Sequence, residues 1–67
     1  MKTKNILGKK IQKIRKIQGL TQEELAEILK ISRAHMGHVE QGIKTPSLKL
    51  VEKIAKALKV KVSDLFP

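Results

Sequence analysis

A chain of 67 residues has room for one domain with an economical core, and 1–67 is read as a single unit. Fifteen Lys and Arg against six Asp and Glu give a net charge of +9, a balance that costs self-repulsion and suits a polyanionic partner. The absence of cysteine excludes disulfide staples and zinc–thiolate sites, and no apolar run approaches the roughly 20 residues of a membrane span.

The opening Met1-Lys2-Thr3-Lys4-Asn5 is positive with no apolar segment behind it, so no secretory leader and a cytoplasmic location are expected. Leu7, Ile11, Ile14 and Ile17 then recur at helical spacing and predict a first helix with those four residues inward. Lys9, Lys13 and Lys16 fall on its solvent side, and Gly19 stands where the helix should stop. Thr21 and Glu24 form a capping box for a second helix, with Leu25, Ile28 and Leu29 as its buried face and Ala26 as a point of close approach.

Ser32 is the expected N-cap of a third helix, with Met36 and Val39 inward and Gly42 at its end. Pro46 suits the first position of a fourth helix capped by Thr45, with Ser47 as the alternative cap. Leu50 or Val51, then Ile54 and Leu58, make that helix's inner stripe. Val62 to Phe66 reads as a short fifth helix whose Leu65 and Phe66 plug the core. Five short helices joined by tight connections describe a compact all-α domain, and the second and third form a helix-turn-helix over about residues 21–41.

The run Leu20 to Ala26, then Ile31-Ser32, Glu40 and Gly42, resembles the phage-repressor-like (Cro and Xre type) family of helix-turn-helix regulators. Pro46-Ser47-Leu48, Ile54-Ala55-Lys56-Ala57-Leu58 and Asp64-Leu65-Phe66 continue the resemblance, which covers about residues 6 to 66. It implies a five-helix, lambda-repressor-like fold and a dimeric, repressor-type transcriptional regulator that binds double-stranded DNA. The chain departs from the family at Lys30 and Lys59, where glycine is common, and at Lys61, where a small capping residue is usual. If positions 30 and 59 are left-handed, each lysine carries strain of roughly 1 kcal/mol.

A third helix laid in the major groove turns its outward residues to base edges. Arg33, Ala34, Gly37 and His38 are the expected base-reading set: Arg33 for guanine O6 and N7, Ala34 for a thymine methyl, His38 as a donor. Gly37 costs about 1 kcal/mol relative to alanine inside a helix, a cost that close approach of DNA would explain. Gln22, at the start of the second helix, is placed to bond a phosphate oxygen with help from the helix dipole, and Ser32 joins the phosphate-contacting set. The resemblance adds Lys44 and Thr45 to that set, whereas Glu40 is expected to be structural, holding backbone or basic groups near the end of the third helix. One recognition helix spans too few base pairs for a genomic address, so a homodimer on a pseudo-palindromic operator is expected. By resemblance, its surface is the fourth and fifth helices with Phe66.

Other chemistries fit less well. His35 and His38 are three apart on one helix but lack an evident third metal ligand beyond Glu40. Gly8-Lys9-Lys10 lacks the upstream glycine and the Ser or Thr of a P-loop, and no paired carboxylates suggest catalysis, so neither an enzyme nor a cofactor nor a small-molecule site is expected. Two alternatives stay open. The family includes antitoxins and restriction-modification controllers that combine DNA binding with a protein partner. The basic amphipathic first helix alone also suits an anionic membrane or a protein.

Overall fold

The computed structural model describes residues 3–66, and these form α1 (Thr3–Ile17), α2 (Gln22–Leu29), α3 (Arg33–Glu40), α4 (Leu48–Ala57) and a closing 3₁₀ turn (Val62–Leu65). No strand occurs among the described residues. The all-helical expectation therefore stands, but with four α-helices rather than five. The last element is a four-residue 3₁₀ turn without a side-chain cap from Lys61; the Asp64 carboxylate accepts the Lys61 N–H at 2.9 Å and the Asp64 N–H donates to the Lys61 carbonyl at 2.9 Å.

Helix starts follow their caps. Thr21 Oγ1 accepts from the Glu24 N–H at 3.0 Å while Glu24 Oε1 accepts from the Thr21 N–H at 2.9 Å, the reciprocal box the sequence predicts. Ser32 Oγ accepts from the His35 N–H at 3.0 Å and opens α3. At α4 the cap is Ser47, whose Oγ accepts from the Leu50 N–H at 3.1 Å, and neither Thr45 nor Pro46 enters the helix. Lys30 and Lys59 both adopt left-handed backbone, with φ of 59° and 58°, the first immediately after α2 and the second one residue past the Leu58 cap of α4. Each accepts the strain that glycine would avoid, and each sets a cation at a helix C-terminus, where the dipole favours it.

One apolar cluster joins the elements: Leu7 and Ile11 of α1, Leu25, Ala26 and Leu29 of α2, Met36 and Val39 of α3, Val51, Ile54 and Ala55 of α4, then Leu58 and Leu65. Burial of each large aliphatic side chain here contributes about 1.5–3 kcal/mol. α2 packs on α3, α1 packs on α3 and the 3₁₀ turn, and α4 rests on α2.

Three expected core residues are exposed, while Ile14 is half-buried against the cluster. Ile17 is 74% exposed, because at about 100° per residue it sits roughly 120° round the helix from Ile11. Arg15, only about 40° from Ile11, takes the inward place instead. Ile28 is 55% exposed, since Leu25, Ala26 and Leu29 already define the buried arc of α2 and Ile28 falls beyond it. Phe66 is exposed while Leu65 fills the core, because the chain leaves the 3₁₀ turn in an extended conformation. In α4, Val51 rather than Leu50 is the fully buried member of the pair.

α1 approaches α3 end-on at Gly8. A Cβ at that position would overlap the carbonyl oxygens of Val39 and Glu40, so the contact between the two helices exists only with glycine there.

Candidate nucleic-acid interface

The surface of α3 away from the core holds an open groove lined by Gln22, Arg33, Ala34, Gly37, His38 and Gln41. Beside it, Thr21, Gln22, Glu23 and Arg33 line a second depression, so Arg33 and Gln22 stand where the two meet. The local sequence explains this placement. Met36 and Val39 are fully buried and fix the inward side of α3, which leaves Arg33 and Ala34 exposed and His38 half-exposed on the other. Ser32 is exposed as well, and its Oγ, although it accepts the His35 N–H, keeps its own hydrogen to donate.

Two predicted positions have neighbours that the sequence did not indicate. Gly37 lines the groove but is itself buried, with the Gln22 side chain over it: a Cβ there would lie 3.6 Å from Gln22 Oε1 and 3.9 Å from Nε2. Those are ordinary contacts, so the protein itself has space for alanine at 37. Gln22 is not a free surface side chain. Its Nε2 donates to Glu40 Oε1 at 2.9 Å, which leaves one N–H of that amide for any ligand.

Lys44 and Thr45 are both exposed, in the connection after α3. That connection is tied back to the helix: the Ile43 N–H donates to the His38 carbonyl at 2.9 Å and the Lys44 N–H to the same oxygen at 3.2 Å. Lys44 thus holds a defined position near His38 at the far end of the groove from Arg33.

Behind the groove lies a feature that the sequence reading caught only in half. Glu40, expected to be structural, is 4% exposed and pairs with Arg15, 5% exposed. Arg15 Nε donates to Glu40 Oε2 at 2.6 Å and Nη2 to Oε1 at 3.0 Å, a forked, charge-assisted contact. Arg15 Nη1 donates to the Leu20 carbonyl at 2.7 Å. Among the described residues no buried side-chain polar atom lacks a partner. Arg15 and Gln41 are the groove and support residues that sequence reasoning missed. For Arg15 a signal existed: it is the one arginine among the lysines of α1, at the i+4 position from Ile11.

The arrangement is therefore a short helix pinned from behind by packing and an ion pair, with donors and a small apolar side chain facing outward on a positively charged chain. A family model described as helix-turn-helix matches residues 11–65, which takes in all of α2, α3 and α4. The chain belongs to this helix-turn-helix family. The assignment agrees with the resemblance drawn from Leu20 to Gly42 and from the motifs after it.

The helix-turn-helix protein is 46% identical over 57 residues to an uncharacterized HTH-type transcriptional regulator, MJ0272 of Methanocaldococcus jannaschii, covering 85% of this chain and 86% of that one. Among solved structures it matches the restriction-modification controller protein C.AhdI from Aeromonas hydrophila with a TM-score of 0.89 at 34% identity, over 92% of this chain and 94% of the other. It also matches SinR, a master regulator for biofilm formation solved in complex with DNA, with a TM-score of 0.82 at 30% identity, over 88% of this chain and 95% of that one.

Proposed function

We propose that this helix-turn-helix protein is a transcriptional regulator that binds double-stranded DNA with α3 in the major groove. The observation that carries the reading is the outward side of α3. Arg33 and Ala34 are exposed at its first turn, His38 follows further along, and all three share one groove rim with Gln22. Base contacts fall to Arg33, Ala34 and His38. Arg33 has the donor fork that matches guanine O6 and N7, worth about 1–3 kcal/mol of discrimination. Gly37, covered by Gln22, reads nothing by itself and keeps the groove floor low. Phosphate contacts fall to the remaining N–H of Gln22, to Ser32, and to Lys44 and Thr45 past the end of α3. The net charge of +9 supplies the general attraction to the duplex.

The protein works as a homodimer on a pseudo-palindrome, with half-sites about one turn, roughly 34 Å, apart. Leu48, exposed at the start of α4, and Phe66, exposed after the 3₁₀ turn, are apolar side chains that support a dimer surface on those two elements. The likeness to C.AhdI favours one specialised form of this function, control of a restriction-modification system. A restriction endonuclease gene beside this one would select that form.

Selection of bound duplexes from a random pool tests the reading as a whole. The expected product is a short two-fold motif with half-sites about one turn apart. Enrichment of no motif, or of single-stranded species, would rule the reading out.

A further inference from the structure

Three elements meet at one buried carboxylate. Glu40 ends α3, Arg15 lies in the last turns of α1, and Gln22 is the first residue of α2. Arg15 takes both oxygens of Glu40, and Gln22 Nε2 shares Oε1 with it at 2.9 Å. The third bond of Arg15, to the Leu20 carbonyl, fixes the chain two residues before Gln22. Nothing in the packing of the core requires Gln22 to join this network. Its side chain runs from α2 across Gly37 and reaches Glu40 from the groove side.

The chemistry of the partners leaves the amide a single orientation. A carboxylate only accepts, so the NH₂ end of Gln22 must face Glu40. Rotation of the amide by half a turn would set Gln22 Oε1 against Glu40 Oε1, two acceptors with no hydrogen between them. A glutamine free on a surface must be ordered at the moment a ligand arrives, whereas one already held is ordered when the chain folds.

We propose that Arg15 and Glu40 are positioning residues for Gln22: the buried ion pair holds the Gln22 amide in one orientation, so that its second N–H is ready for a phosphate acceptor. The inference rests on the DNA-binding reading and adds to it a cause. Two residues with no access to the ligand set the strength of a contact made by a third. Glu40 does this through its charge as well as its shape, because a neutral amide at 40 would accept and donate and would let Gln22 adopt either orientation.

A double-mutant cycle decides it. Wild type, Glu40→Gln, Gln22→Ala and the double variant are compared for affinity toward the duplex that wild type selects. Glu40→Gln is expected to weaken binding about five- to tenfold in the wild-type background. With Gln22→Ala already in place, it is expected to change affinity by less than about twofold. Equal loss in both backgrounds, or no loss in either, would overturn the proposal and make the ion pair a stability element alone. If Glu40→Gln does not fold, Arg15→Met with Glu40→Leu replaces it. An apolar exchange of a whole buried pair is commonly tolerated, and it removes the partner of Gln22 equally.

A second readout needs no DNA. The Gln22 side-chain NH₂ hydrogens should exchange with solvent more slowly than those of exposed Gln41, and lose that protection in the ion-pair variants. Equal exchange at Gln22 and Gln41 in wild type would refute the positioning role. Should wild type select no duplex, the function proposed above fails, while this exchange measurement still decides whether the amide is held.

Discussion

At the scale of single residues, the proposed interface assigns reading to the outward side of α3 and clamping to the connection beyond it. Arg33 is exposed and carries a donor fork, so Arg33→Ala should cost about 1–3 kcal/mol on the selected duplex and relax preference at one base pair per half-site. Titrations against the selected and a scrambled duplex check this, and equal losses on both would reduce Arg33 to a phosphate contact. Lys44 is held to the His38 carbonyl through its own backbone, which places its charge without giving it a base to read. Lys44→Ala should weaken all duplexes alike and reduce the slope of log affinity against log salt by about one. An unchanged slope would take Lys44 off the interface. The outward places of Arg33, Ala34 and His38 were legible in the sequence, because Met36 and Val39 fix the phase of a short amphipathic helix. The state of Gln22 was not, because its partner Glu40 lies 18 positions away and an N-terminal helix residue ordinarily points to solvent.

At the scale of helices, close approach and one ion pair decide how α3 is carried. Gly8 allows α1 to meet the α3 carbonyls of Val39 and Glu40, so Gly8→Ala must push the two helices apart. The expected destabilisation is about 1–3 kcal/mol, read from chemical denaturation, despite the gain in helix propensity that alanine brings. A more stable Gly8→Ala protein would contradict that packing. Arg15→Ala leaves the buried Glu40 carboxylate without a countercharge, with only the Gln22 N–H on it, which should cost about 3–5 kcal/mol, while removing both charged partners together should cost much less. Denaturation of the single and double variants checks the difference, and equal costs would mean that water already solvates Glu40. The capping signals of α2 and α3 are local chemistry and were readable as such. The inward turn of Arg15, with Ile17 left outside, was not. Counting apolar residues at spacings of three and four accepts Ile17, whereas the pair with Glu40 that draws Arg15 inward spans 25 positions.

For the whole molecule, the described residues of a basic chain form four α-helices and a closing 3₁₀ turn with the outer side of α3 open to solvent, and the family match to residues 11–65 fits that architecture. The order of motifs from Leu20 to Phe66 made the fold legible because each piece marks a cap, a turn or a buried stripe. The closing turn of helix at Val62–Leu65 was legible too, but its 3₁₀ form was not, since Asp64-Leu65-Phe66 matches the family pattern whichever helix type it takes. Placement of α3 in the major groove is open to interference by guanine N7 methylation, carried out on the selected duplex. Methylation at guanines within both half-sites should block binding by wild type, and the block at one of them should disappear with Arg33→Ala. Binding that tolerates N7 methylation throughout both half-sites would contradict the account.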